Sequence, residues 1–360
     1  MRLFGKRPVI RPFTKRVLIV NAALLALALI CLIACLSLSG TLESQKAAER
    51  WAGESGGDYA QLSCFMSGSD SVDLSRVYTF RQALESRLTE ESLELPEGGR
   101  PYVDAWSAMR SLGVSGEHGS ATATAIAVGG DFFFFHPLRL LSGSYIAEGD
   151  YADDRVVLNR ELAWRLYGSD DLAGLTVEIE GVPFVVAGVI DRDGDAASQK
   201  AQDVSMALYL SYTAYCRLRG ESAAIGCYEL VMPEPVRGFA ESFLREKFPL
   251  GGGELVQNSG RFGIKGSWGV LREFGTRSMR LTDVVYPDWE NAARYLGDWC
   301  ALLLAAALVL AVCPAVTLCV ALGFGLVHGR RRLAKKLPAL AGSAVDRARQ
   351  RRYARRRAAK

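Results

Sequence analysis

Histidine is scarce in this sequence: His118, His136 and His328 are the only three in 360 residues. A histidine-based triad or metal cluster needs several converging imidazoles, and three scattered ones argue against both. No Cys/His spacing suggests zinc. The run Asp191-Arg192-Asp193-Gly194-Asp195 loosely resembles a calcium loop, and reads more simply as a solvated turn after a strand. The pattern G-x-x-x-x-G-K-[ST] is missing, so the chain cannot itself hydrolyse nucleotide through a phosphate loop. Gly251-Gly252-Gly253 lacks the following lysine and helix, and is expected to be a loop. Ser115, in Gly113-Val114-Ser115-Gly116, lacks the last glycine of a nucleophile elbow. No pair of carboxylates stands out for acid-base work. The expectation is a non-catalytic protein without a cofactor or a bound metal.

Charge is missing altogether from two apolar stretches, 17–38 and 300–327, of 22 and 28 residues. About 20 residues of helix cross a bilayer's hydrocarbon core, and a soluble core helix rarely stays apolar on every face for so long. Asn21 and Pro314 are tolerable interruptions of a spanning helix. A cleaved signal peptide would have a shorter core and a small-residue cleavage site. Leu32-Ile33-Ala34-Cys35 resembles a lipoprotein processing box, but the apolar run continues through Leu36 and Leu38. Both stretches are read as spans.

Their flanks fix the orientation. Arg2, Lys6, Arg7, Arg11, Lys15 and Arg16 precede the first without an acid, and thirteen Lys or Arg against the single Asp346 follow the second. Basic flanks stay in the cytoplasm, so both termini are expected there and residues 39–299 outside. That outer part holds 38 acids against 24 bases. Trp289, Tyr295 and Trp299 are candidate aromatic anchors at the outer boundary. The C-terminal arginines are expected to meet anionic lipid rather than nucleic acid. The expected organisation is a basic end (1–16), a span (17–38), an outer domain (39–299), a span (300–327) and a basic segment and tail (328–360). Of the eight cysteines, Cys64, Cys216 and Cys227 lie outside, where Cys216 and Cys227 could bridge or remain free.

Within the outer domain, residues 40–72 are rich in Gly, Ser and Ala and read as a stalk. Val77, Phe80, Leu84 and Leu88 recur at helical spacing over 74–88, with Asp73 or Ser75 to cap. Residues 122–128 read as a strand running into Phe132-Phe133-Phe134-Phe135, expected to fill the core. Residues 156–158 read as a buried strand, after which Asn159 caps a helix that buries Leu162, Ala163 and Leu166 and stops at Gly168. Residues 175–190 form a hairpin turning near Glu180-Gly181. Strands near 206–210 and 228–232 and a helix over 236–248 complete the pattern. Strands and helices mix without strict alternation, so the fold class is α+β, a mixed sheet with packed helices, anchored by two transmembrane helices.

Five ordered blocks also resemble a known family: Asp131-Phe132-Phe133; Leu140-Leu141-Ser142-Gly143 with Asp150; the run from Val156 through Asn159, Leu162 and Ala163 to Gly168; Asp171-Leu172-Ala173-Gly174-Leu175-Thr176-Val177; and Phe184-Val185-Val186-Ala187-Gly188-Val189-Ile190. They are similar to the MacB-like periplasmic core domain of FtsX-type ABC transporter permeases. The resemblance implies structural roles for Gly143, Asn159, Leu162, Ala163, Gly168, Gly174 and Gly188. It implies a bacterial inner or plasma membrane, and a separate cytoplasmic ABC ATPase as partner. The segment after the second span, with Arg330, Arg331, Arg332, Leu337, Leu340, Gly342 and Ser343, is similar to that family's cytoplasmic coupling segment, though the usual acid after the arginines is absent. The family has four spans and this sequence shows two apolar runs. Two spans cannot enclose a conduit, so a homo-oligomer or a second permease chain is expected to complete one. The expected function is that of a permease-like subunit transmitting motion between the ATPase and the outer domain; a membrane-anchored binding or sensory module not coupled to ATP is the alternative.

Overall fold

The structure, a computed structural model, describes residues 12–53, 57–68, 72–91, 93, 100–147, 153–201, 206–220, 222–277 and 284–357, with side chains described over 14–326 apart from 276 and 277. Arg2, Lys6, Arg7, Arg11 and Asp150 lie outside the described residues. The chain divides into two compact units, Met1–Ile33 with Leu303–Lys360, and Ala34–Leu302.

In chain order the elements are α1 (Pro12–Ser39), a 3-10 turn at Glu43–Gln45, α2 (Ala47–Ala52), β1 (Tyr59–Phe65), α3 (Leu74–Glu90), β2 (Val103–Gly116), β3 (Gly119–Gly130), α4 (Phe132–Phe135), β4 (Leu140–Gly143) and β5 (Arg155–Asn159). There follow α5 (Arg160–Tyr167), β6 (Thr176–Ile179), β7 (Val182–Ile190), α6 (Ala196–Ala201), β8 (Ala207–Ser211), α7 (Tyr212–Arg219), β9 (Cys227–Pro233), α8 (Phe239–Lys247), β10 (Glu254–Gln257), α9 (Ile264–Arg277) and α10 (Asp288–Arg357).

The first unit contains most of the apolar stretches of α1 and α10. Only 6% and 17% of their most apolar windows are buried, the reverse of a soluble core helix, and Ile19, Val309 and Leu326 are about 70% exposed. Surfaces of this kind are stable in lipid, where a helix satisfies its own backbone. The protein is a membrane protein with two apolar helices.

The second unit is α+β, as its patterning implies. Ten strands form one mixed sheet in the order β10-β1-β9-β2-β3-β8-β5-β7-β4, with β6 pairing β2 and β7. Side chains alternate across a strand, so each strand feeds two cores. On one face, Leu62, Trp106, Leu158, Leu208, Tyr228 and Leu230 pack with the inward residues of α3, α5, α7 and α8. On the other, Val103, Ala105, Ile126, Val128 and Val231 meet Ala47 and Ala48 of α2 and Phe132 and Phe135 of α4. Each fully buried Leu or Phe contributes about 1.5–3 kcal/mol relative to exposure.

Several local expectations hold in detail. Asp73 accepts from the Arg76 N–H at the start of α3, and Val77, Phe80, Leu84 and Leu88 are buried. The β6–β7 hairpin turns at Glu180 and Gly181, both at positive φ (51° and 78°), as a tight two-residue hairpin turn requires. The four phenylalanines form the helical turn α4, with Phe132 and Phe135 buried.

Others are corrected. The stretch expected as a stalk contains α2 and β1, and β1 lies second from the sheet edge with six of its seven residues buried. Its small and polar residues suit that position: Ala60, Leu62 and Cys64 enter one core, while Gln61 and Ser63 are buried on the other face with hydrogen-bond partners. The helix expected over 236–248 starts three residues later, because Gly238 adopts a left-handed conformation (φ 86°) just before Phe239. Apart from these corrections, the second apolar stretch is helical as expected and lies within α10, which continues on both sides of it.

Candidate functional site

The sequence-selected family residues gather around one end of the sheet. Asn159 caps α5, its Oδ1 accepting from Leu162 N (3.1 Å), and it also accepts from Ala207 N of β8 (3.1 Å). One side chain thus ties β5, α5 and β8 together. Leu162 and Ala163 are fully buried beneath it. Gly168 ends α5 in the left-handed region, and the Gly174 N–H donates to Val186 O (2.8 Å). Gly143 and Gly188 face each other across the β4–β7 ladder. A Cβ on Gly143 would come within 2.0 Å of Ala187 O, and one on Gly188 within 2.6 Å of Ser144 O, so this ladder closes only without side chains.

The polar chemistry lies elsewhere, on the second face of β1, β9 and β10. Ser63 and Glu229 are direct cross-strand partners, and both are buried. His136, which follows α4, meets Glu229 with Nε2 2.6 Å from Oε2. Asn258 donates to Ser63 Oγ (2.7 Å), whose hydroxyl donates to Glu229 Oε1 (3.3 Å). The indole of Trp289, in the first turn of α10, covers the imidazole with ring centres 4.4 Å apart, and also touches Phe132.

One residue further, Glu290 is 1% exposed and accepts from Nη1 and Nη2 of the Arg261 guanidinium at 2.7 Å each. Arg294, one turn on, donates Nε to Glu290 (2.7 Å) and reaches Glu254 of β10 through Nη2 (3.0 Å). Tyr286 donates its hydroxyl to Glu254, and the Arg294 guanidinium lies over the Tyr286 ring at 3.8 Å. Two arginines and two glutamates therefore clamp the start of α10 to the sheet edge. Beyond the clamp, Cys300 Sγ contacts Cys35 O at 3.8 Å, and Cys35 Sγ contacts Phe262 O at 4.0 Å. The end of α1, the entry to α9 and the emerging α10 converge there.

The clamp also sets its own titration. Burial pushes the Glu254 carboxyl up, but the Tyr286 hydrogen bond and the Arg294 charge outweigh it and hold the group below the ordinary glutamate value. For Arg294 burial acts downward, and Glu290 and Glu254 reverse it, raising the guanidinium. A carboxylate with a depressed folded value contributes stability that is full above its unfolded value and is lost as pH falls through the folded one. Stability is therefore expected to hold down to about pH 4.3, where free glutamate titrates, and to fall below it. In Glu254→Gln that part of the acid dependence disappears, which thermal melts over a pH series would read.

Beside His136 lies a cavity of about 70 Å³ lined by Phe132, Tyr209, Trp289 and Asp193 among others, with the Asp193 carboxyl raised chiefly by burial. Of the run that resembled a calcium loop, Asp195 instead caps α6 through Ala197 N and Ser198 N (2.9 Å each), and Asp191 pairs with Arg139. Among the described residues no group of side chains is placed to hold a metal ion. Cys216 and Cys227 are both free. His118 sits against Gly168 near the tip of the β2–β3 hairpin, its backbone N–H donating to Leu166 O, in a setting separate from His136. Arg330, Arg331, Arg332, Leu337, Leu340, Gly342 and Ser343 all fall on α10, whose backbone is helical there.

Sequence reasoning missed the clamp. Glu290 and Arg294 stand at the i, i+4 spacing of a helical ion pair, which was visible, but Arg261 and Glu254 come from an irregular segment and a four-residue strand that carried no pattern. Trp289, expected as a boundary anchor, is instead packed on the sheet, whereas Tyr295 and Trp299 are partly exposed.

No curated protein matches the chain. Among solved structures, the periplasmic region of MacB from Actinobacillus actinomycetemcomitans aligns at 17% identity over 55% of this chain and 89% of that one, with a TM-score of 0.41. The extracellular domain of the noncanonic ABC-type transporter YknZ from Gram-positive bacteria aligns at 13% over 53% and 92%, with a TM-score of 0.37. A domain of a putative permease protein from Porphyromonas gingivalis aligns at 10% over 55% and 88%, with a TM-score of 0.31. The sequence model of the MacB-like periplasmic core domain matches residues 19–227, more than half of the chain, and on that match this membrane protein belongs to the MacB-like periplasmic core domain family.

Proposed function

We propose that the chain is a permease-like subunit of an ABC-type transporter assembly, carrying motion between a separate cytoplasmic ATPase and an outer domain. The family is that of periplasmic domains of ABC-type transporter permeases. The observation that carries the reading is α10: a single helix that begins in the Arg261–Glu290–Arg294–Glu254 clamp, continues through the uncharged stretch, and includes the basic segment around Arg330 to Ser343. A helix held by buried ion pairs at one end is suited to pass displacement from the ATPase side to the sheet. In this reading residues 17–38 and 300–327 span the membrane, both termini are cytoplasmic, and 39–299 face outward. Nucleotide hydrolysis belongs to the partner. A second copy or a second permease chain completes the conduit.

The test uses the full chain purified in mild detergent from its native host. An ATPase subunit is expected to co-purify. Leu340→Asp and Gly342→Asp are expected to reduce that association at least about tenfold, the effect of placing a charge at the centre of an apolar contact, while leaving the outer domain folded. A binding or sensory module uncoupled from ATP predicts no ATPase in the preparation and no effect of either substitution.

A further inference from the structure

α9 presents an apolar face to solvent. At 100° per residue, Leu271, Ile264 and Trp268 are neighbours on the helix and are flanked by Arg272 and Lys265, while Phe274 and the half-buried Val270 lie beyond Ser267, which is buried. Ile264 is 71% exposed, Trp268 55% and Phe274 48%. Scattered exposed apolar residues are ordinary, but three large ones on one helical arc need a partner.

The position of the helix identifies that partner. α9 follows directly on Phe262, whose carbonyl contacts Cys35 near the outer end of α1, and Cys35 in turn contacts Cys300, where the second uncharged stretch begins. The entry to α9 therefore lies beside Cys35 and Cys300, one residue from each uncharged stretch. Trp299, adjacent to Cys300, and Tyr295 are partly exposed one turn apart with ring centres 6.4 Å from each other. Amphipathic rings of this kind favour the headgroup zone, and Lys265 and Arg272 complement lipid phosphates.

We infer that α9 is an interfacial helix, lying on the outer leaflet with Ile264, Trp268, Leu271 and Phe274 in the acyl boundary and Lys265 and Arg272 among the headgroups. The inference rests on the two-span reading proposed above. It makes α9 a lipid-borne shoulder beside the clamp. Arg261, which grips Glu290, lies three residues before its first turn, so lipid contact at α9 bears on the same joint.

Benzoylphenylalanine placed at Trp268 in the full chain, reconstituted in phosphatidylglycerol and phosphatidylethanolamine vesicles and irradiated, tests it. Lipid adducts are expected at about tenfold the level seen at Val236, an exposed residue before α8. Leu302, an exposed residue of the second stretch, serves as the reference for lipid contact. Adducts at Leu302 without adducts at Trp268, or a cross-linked dimer of the chain from Trp268, would overturn the interfacial helix alone. Absence of lipid adducts at Leu302 would remove the two-span reading and this inference with it. Quenching by brominated lipid, compared between the unlabelled chain and Trp268→Phe, gives the same answer without the bulky probe: loss of a quenched component supports the inference and an unchanged profile refutes it.

Discussion

Replacing Glu290 by alanine is expected to destabilise the protein by about 3–5 kcal/mol, the effect of removing one partner from a buried ion pair. The carboxylate is 1% exposed and receives three guanidinium nitrogens, two from Arg261 and one from Arg294. Its loss leaves Arg261, a mostly buried cation, without its bidentate acceptor, whereas Arg294 retains Glu254. The two arginines should therefore respond differently. Arg261→Met in the Glu290→Leu background, which removes both charges of the buried pair and keeps the volume, is expected to recover most of the loss. For a unit of this size about 2–4 °C of melting temperature accompanies each kcal/mol, so the single variant should melt roughly 10 °C lower in detergent. Its second signature is local. If the clamp fixes the start of α10, amide exchange over the first turns of α10 should rise more than exchange in β5 or β8, which are held by Asn159 at the other end of the sheet.

The contrast between the two ends of the sheet explains what the amino-acid sequence reveals. Elements built from near neighbours were legible: the Asp73 cap and its four inward residues, the Glu180-Gly181 turn, and the Asn159 to Gly168 helix each carry their determinants within about a dozen positions. β1 alternates apolar Ala60, Leu62 and Cys64 with polar Gln61 and Ser63, yet so short a run within a small-residue stretch reads as a stalk. Only the folded chain supplies the partners Ser44, Asn258 and Glu229 that make burial of its polar face tolerable. β2, the 14-residue strand at the centre of the sheet, begins with buried residues on both faces and ends half exposed, so no single period runs through it. α9 escaped for a different reason: Ile264, Trp268 and Phe274 are largely exposed, so the helix lacks the full inward stripe that marks α3, although Ser267 is buried and Val270 and Leu271 are half-buried. The clamp draws charges from β10, the segment before α9 and α10, and charges that pair across such separations leave no local spacing to read.

Gly143→Ala is the corresponding test at the opposite end, and it separates two effects that a glycine substitution usually confounds. Gly143 has a φ of 72°, which disfavours any L side chain by about 1–2 kcal/mol. Its added Cβ would also come 2.0 Å from Ala187 O and 2.8 Å from Gly188 Cα, both backbone atoms that cannot swing aside. β4 must then separate from β7, and overpacking of this kind adds about 1–3 kcal/mol. Gly174 is the control, because its φ is 88° and nothing lies within 4 Å of the added Cβ. Gly174→Ala should therefore show the conformational penalty alone, and Gly143→Ala about 3 kcal/mol or more in total. Melting in detergent would measure both, and exchange of the β4 and β7 amides would show whether the ladder opens. Equal losses for the two variants would mean that the β4–β7 approach accommodates a methyl group, and that Gly143 is needed for its backbone conformation rather than for the ladder.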